Sequence, residues 1–139
     1  MISLKSLFLL LLLLFSFSAF AESKIKNYQD GKTLYVWDGM YLKDYSNGRR
    51  IVEWDGKYIK SYKNGQRQYE FDGHYFKDYG NGVRLYEWDG KYIKDYSTGK
   101  RLLEYDGKRL KDYSTGKALL EIDGEVPIAV LIAARLQML

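Results

Sequence analysis

The chain has no cysteine, one proline and one histidine in 139 residues, and each scarcity removes a class of protein. Without cysteine there is neither disulfide nor thiolate, so stability must come from strand pairing and packing, and thiol-based metal sites are excluded. A single histidine, His74, cannot build a histidine-rich zinc centre. The lone proline, Pro127, falls after the repetitive part of the sequence, so no hydrogen-bonded ladder is interrupted before it. An excess of one charge is lacking too. Against 18 Asp and Glu stand 22 Lys and Arg, a balance too even for a nucleic-acid binder, which concentrates positive charge.

What is present at the N-terminus is an export signal. Lys5 precedes a nearly unbroken apolar run from Leu7 to Phe20, and Ala19-Phe20-Ala21 supplies the small-x-small pattern before the polar Glu22-Ser23-Lys24. Residues 1–21 are therefore expected to be removed as a signal peptide, with cleavage after Ala21. A retained anchor is the alternative, disfavoured because the run is short of the roughly 20 residues of a bilayer span. No cysteine follows the run, so there is no lipoprotein anchor. Cleavage leaves Glu22 to Leu139, the size of one domain, with a net charge of +3 once Lys5 is gone. The expected location is periplasmic, cell-envelope or secreted, and a cysteine-free exported domain suits a bacterial envelope best.

From residue 22 to 125 the sequence is a repeat. Aromatic-Asp-Gly or Ile-Asp-Gly triplets begin at Trp37, Trp54, Phe71, Trp88, Tyr105 and Ile122, always 17 residues apart. Between them, at the same interval, lie Asn47-Gly48, Asn64-Gly65, Asn81-Gly82, Thr98-Gly99 and Thr115-Gly116, with Asp30-Gly31 leading. Such dipeptides between alternating apolar runs are hairpin signals, because tight turns need positive φ. Each unit reads as two short strands, giving an all-β antiparallel meander of about eleven strands.

The odd period carries further information. Side chains alternate faces with period two, so 17 residues would flip every face from one unit to the next unless one residue is absorbed. The economical arrangement makes Asp-Gly a two-residue turn and Ser46-Asn47-Gly48 a three-residue loop with a left-handed glycine bulge. One face then gathers Trp37, Trp54, Phe71, Trp88 and Tyr105, the column Leu42, Ile59, Phe76, Ile93 and Leu110, and Val52, Tyr69, Tyr86, Leu103 and Leu120. This is the expected core, rimmed by pairs of Arg50, Arg84 and Arg101 with Asp44, Asp78 and Asp95. The opposite face carries Tyr41, Tyr58, Tyr75 and Tyr92, a second tyrosine column Tyr45, Tyr62, Tyr79, Tyr96 and Tyr113, the lysines Lys43, Lys60, Lys77, Lys94 and Lys111, and a glutamate row from Glu53 to Glu121.

Strands of six residues reach only about 20 Å, whereas a membrane-spanning strand needs about 9 to 11 residues, so no stable transmembrane span is expected after signal removal. Closure into a flower or barrel is favoured over an open sheet because it abolishes exposed edges. The tail 126–139 turns apolar after Pro127 and predicts a short helix that plugs the end or seam of the β-structure.

Units such as Leu85-Tyr86-Glu87-Trp88-Asp89-Gly90-Lys91-Tyr92-Ile93 resemble those of the four-fold β-flower domain, over about Tyr28 to Gly124. That resemblance implies hairpin petals around a pseudo-symmetry axis, in a family with no established catalytic activity. The chain departs from it in having five full units and a regular second turn, so no symmetry number carries over. The same residues are also similar to choline-binding repeats, which are hairpins rich in Trp and Tyr, although those units are longer and lack Asp-Gly after the aromatic.

Catalysis needs different residue types converging at one place, whereas the repeat copies the same types five times. His74 stands where Lys57 and Lys91 stand in other units and reads as a solvated turn residue. One carboxylate per Asp-Gly turn is too sparse for calcium, and the Glu53/Asp55 and Glu70/Asp72 pairs recur without a distinctive member that would mark a glycosidase. No cofactor is implied. The expectation is an exported structural or interaction module without catalysis, whose partners are envelope polysaccharide or another envelope protein. The alternative is a carbohydrate- or choline-type binder in which Tyr41, Tyr58, Tyr75, Tyr92, Tyr45, Tyr62, Tyr79 and Tyr96 stack on the ligand while Lys60, Lys77 and Lys94 meet its charges.

Overall fold

In a computed structural model, which describes residues 21–137, twelve antiparallel strands close into a barrel. The export signal falls outside the described residues, apart from Ala21. Five-residue strands ending at the aromatic, β2 (Thr33–Trp37), β4 (Arg50–Trp54), β6 (Arg67–Phe71), β8 (Arg84–Trp88) and β10 (Arg101–Tyr105), alternate with four-residue strands β3 (Tyr41–Asp44), β5 (Tyr58–Ser61), β7 (Tyr75–Asp78), β9 (Tyr92–Asp95) and β11 (Arg109–Asp112). β1 (Ser23–Asn27) and β12 (Ala118–Asp123) flank them and pair with each other, Ile25 opposite Ile122, to complete the circle. The count of twelve compares with the about eleven expected.

Both turns differ in detail from the expectation. At the Asp-Gly end Trp37 is opposite Leu42 and the Asp38 N–H donates to the Tyr41 carbonyl, so the two loop residues are Gly39 and Met40, with Asp38 outside them. At the Asn-Gly end the Asp44 N–H donates to the Arg49 carbonyl and the Gly48 N–H to the Asp44 carbonyl, enclosing four residues, Tyr45 to Gly48. Gly48 is left-handed, φ +70°, but it does not absorb the odd residue. That residue is Ile51: Lys43 faces Arg50 while Leu42 faces Val52, and the register slips between them. The same bulge recurs in every unit. Because it lies one residue beyond Arg50, it turns Arg50 to the outside. The expected pairing of Arg50, Arg84 and Arg101 with Asp44, Asp78 and Asp95 around the core is therefore absent, and each Asp instead folds onto its own turn, as Asp44 does in accepting the Ser46 N–H.

The interior is layered. Leu42, Ile59, Phe76, Ile93 and Leu110 form a fully buried middle layer with Ile25. The Asp-Gly end adds Trp37, Phe71 and Ile122, with Trp54, Trp88 and Tyr105 half-buried beside them, and the Asn-Gly end adds Tyr35, Val52, Leu103 and Leu120. The bulge residues Leu34, Ile51, Leu85, Leu102 and Leu119 pack against this core at its rim. About eight strands are already enough for inward side chains to fill a barrel, so twelve leave a lumen. The tail fills it. After Gly124 the chain doubles back from the Asp-Gly end, runs as α1 (Ile128–Ile132) and a π-helical stretch Ala133–Gln137, and reaches the other end, where Gln137 accepts from the Tyr69 hydroxyl at 3.0 Å and donates to that of Tyr86 at 2.8 Å. Ala129 to Ala134 are buried. A helix about 10 Å across fits where a sheet layer would not. The helix expected over the tail is thus a plug through the middle of the barrel.

Candidate functional surface

With the interior filled, chemistry is left to the outer wall and the two ends. On the wall, the tyrosines singled out from the sequence are brought together in pairs that span neighbouring units. Tyr41 meets Tyr62 edge-on with ring centres 5.7 Å apart, and Tyr58–Tyr79, Tyr75–Tyr96 and Tyr92–Tyr113 repeat the geometry at 5.6, 5.7 and 5.5 Å. Each pair is clasped by an arginine turned outward by the bulge. The guanidinium carbon of Arg50 lies 4.1 Å from the Tyr41 ring centre and 5.6 Å from that of Tyr62. Arg67, Arg84 and Arg101 do the same to the next three pairs, at 3.9, 3.9 and 4.1 Å from the inner ring. The bulge also fixes the outer tyrosines, since the Tyr62 N–H donates to the Ile51 carbonyl and the Tyr79, Tyr96 and Tyr113 N–H groups to the equivalent carbonyls. Sequence reading missed these arginines as partners of tyrosine because the clasp joins residues of two neighbouring strands and of the loop after a third.

Tyr45 is the exception among the candidates. Its unit has Thr33 where the others have arginine, and at 55% exposure it is the most open of the column. At the seam the pattern is rearranged: Arg109 takes the inner tyrosine's place and its guanidinium lies 5.2 Å from the Tyr28 ring centre. Its Nε is the one buried side-chain polar atom without a partner among the described residues.

Lys60, Lys77 and Lys94 are not free cations. Although Lys60 lies directly across from Glu53, its Nζ is 3.2 Å from Asp55, and Lys77 and Lys94 reach Asp72 and Asp89 at 3.5 and 3.2 Å. Glu70, Glu104 and Glu121 pair instead with the lysine after the turn glycine, Glu70 with Lys57 at 3.7 Å, whereas Glu53 has Met40 at that place. His74 joins that second set: Nε2 lies 3.1 Å from Glu87 and Nδ1 2.8 Å from the Trp88 carbonyl.

Asp38, Asp55, Asp72, Asp89 and Asp106 are held below the usual carboxylate range. In Asp89, whose pKa falls to about 2, the Tyr92 N–H is the first cause, partial desolvation opposes it, and the Lys91 N–H and Lys94 ammonium add to it. In Asp38, Asp55 and Asp72 desolvation is the largest influence and works upward, but it is outweighed by two backbone N–H donors and a lysine. These carboxylates are committed to turns and are not poised for proton transfer. Among the described residues no group of three His, Cys, Asp or Glu could hold a metal ion, and no helix is long and apolar enough to cross a membrane.

Two hollows remain. One, of about 750 Å³, lies at the Asp-Gly end of the seam between Trp37, Tyr105, Glu125 and Pro127. The other, of about 920 Å³, is a groove on the wall between successive Asn-Gly loops, lined by Asp44, Asn47, Arg49, Arg50, Tyr62 and Lys63.

The fold and surface define an all-β hairpin-repeat barrel plugged by its own C-terminal helix. No family model, curated protein or solved structure matches the chain.

Proposed function

We propose that this chain is an exported, non-catalytic interaction module of the cell envelope, acting through a surface that the barrel repeats around its circumference. The observation that carries the reading is the arginine clasp. The ring faces a sugar or quaternary ammonium would need are occupied, in four of the tyrosine pairs, by a guanidinium of the same chain. The lysines of the wall are likewise engaged by the chain's own aspartates. A wall built this way stabilises the barrel and presents a charged, patterned exterior. Strands of four to six residues with lysine and glutamate facing outward support a barrel bathed in water.

Binding of a carbohydrate or choline-type ligand by the tyrosine columns is the second reading, and it is favoured only by Tyr45, whose ring no arginine covers. Both are tested by passing residues 22–139, which contain every strand, over peptidoglycan, envelope polysaccharide and host glycans beside a Tyr58→Ala/Tyr75→Ala/Tyr92→Ala variant. The module reading expects retention by an envelope fraction that the variant keeps. Retention lost in the variant would move the function to the tyrosine columns, and no retention on any fraction would remove the interaction reading altogether.

A further inference from the structure

The even charge of the whole chain conceals an uneven distribution between the ends of the barrel. At the Asn-Gly end the loop residues Lys32, Arg49, Lys63, Lys100 and Lys117 are exposed and lie just beyond the four clasping arginines. None of these five loop residues makes an ion pair among the described residues. With Arg50, Arg67, Arg84 and Arg101 that end carries nine cations against five acids, Asp30, Asp44, Asp78, Asp95 and Asp112, each folded into its own turn by accepting a backbone N–H. At the opposite end no such excess is found: the aspartate of every Asp-Gly turn there is paired with a lysine, and Lys57, Lys91 and Lys108 are paired with glutamates. The basic end is also where the outer tyrosines gather. Tyr28, Tyr45, Tyr62, Tyr79, Tyr96 and Tyr113, all 42–55% exposed, occur once per unit and so ring the closed barrel at one height.

We propose that the Asn-Gly end of the barrel is a docking face for an anionic lipid surface. This rests on the module reading above and names its partner. A ring of equivalent residues around a closed barrel meets a plane all at once, whereas a polymer chain would track one groove and leave the rest unused. Tyrosine at the level of the headgroups, with arginine and lysine beside it, is the side-chain chemistry that interfaces favour. The groove between the loops at Gly48 and Gly65, with Arg49, Arg50 and Lys63 in its walls, is at about 920 Å³ large enough to admit a headgroup.

The test is co-sedimentation of residues 22–139 with vesicles of phosphatidylglycerol in phosphatidylcholine, against phosphatidylcholine alone. Binding to the anionic vesicles should exceed that to neutral ones by about tenfold or more and should fall as salt is raised. The variant Arg49→Glu/Lys100→Glu/Lys117→Glu, whose side chains hold no partner to lose, should abolish the preference, while Lys57→Glu/Lys91→Glu at the other end should leave it intact. Circular dichroism checks that both variants are folded, and the salt dependence of the unaltered chain needs no variant. Equal binding to the two vesicle types, no binding, or equal loss in both variants would overturn the proposal. Retention on an anionic polysaccharide without vesicle binding would overturn it too while leaving the module reading in place; retention on nothing would remove both.

Discussion

Two glycines that each follow an aspartate separate conformational strain from crowding. Gly56 and Gly124 both have positive φ, +96° and +110°. A Cβ on Gly56 would meet nothing within 4 Å, whereas one on Gly124 would collide with Ser23, its side chain and its Cα at 3.2 Å. Ser23 cannot move aside, because it is buried in β1 and its hydroxyl accepts the Glu125 N–H at 3.0 Å. Gly56→Ala should cost about 1–2 kcal/mol, the strain of a left-handed alanine alone. Gly124→Ala adds overpacking and should cost about 2–4 kcal/mol. Urea denaturation of the two variants checks this, and equal losses would mean that the Ser23 contact is not tight. The aspartates make a second prediction at this scale. Asp89 titrates at about 2 in the folded chain against about 3.9 when unfolded, so its stabilisation is complete above the unfolded value and disappears as pH falls from there through about 2. Asp38, Asp55, Asp72 and Asp106 shift in the same direction. The melting temperature should therefore drop steeply over that window, and Asp89→Asn should lower it at neutral pH while flattening the acid limb. Parallel curves for variant and parent would show that Asp89 contributes nothing through its charge.

Among the elements, the plug is the one whose removal should matter most. Leu131 is fully buried at the centre of the lumen, and Leu131→Ala should cost about 2–5 kcal/mol because the closed wall cannot collapse onto the space left. Deleting residues 126–139 should give a chain that keeps its strand signal in far-UV circular dichroism but binds a hydrophobic dye; a deleted chain that melts like the parent would show that the wall stands without the plug. The helix was legible from its composition, and the inner layers from the turn dipeptides, since Asp-Gly and Asn-Gly fix where each strand begins and hence which side chains point inward. The bulge was not placed correctly, because glycine bulges usually sit in the loop. The signal lay just past the loop, in the strand that follows it, in the doublets Ile51-Val52, Leu102-Leu103 and Leu119-Leu120, where two apolar neighbours break the alternation. The error carried Arg50, Arg84 and Arg101 to the wrong face, and with them the clasp on the tyrosines.

At the scale of the whole molecule, strand number and plug constrain each other. Every unit is locally self-sufficient in its turns, its lysine–aspartate pairs and its bulge, so nothing within a unit specifies how many units there should be. The number is set by closure: β1 and β12 must meet in register, and the lumen they enclose must accept a helix whose inner residues include Ala129, Ala133 and Ala134. Removing residues 57–73, one complete unit, joins Gly56 to His74 and preserves every local signal while leaving ten strands. Barrel diameter falls roughly in proportion to strand number, and the aromatic layers at both ends already occupy much of the interior, so the smaller barrel has no room for the plug. The shortened chain with its tail should lose its near-UV circular dichroism and bind a hydrophobic dye, and removing residues 126–139 from that same chain should restore a cooperative melt. If the shortened chain with its tail melts as cooperatively as the parent, the plug does not set the size of the barrel, and the number of units has no explanation in packing.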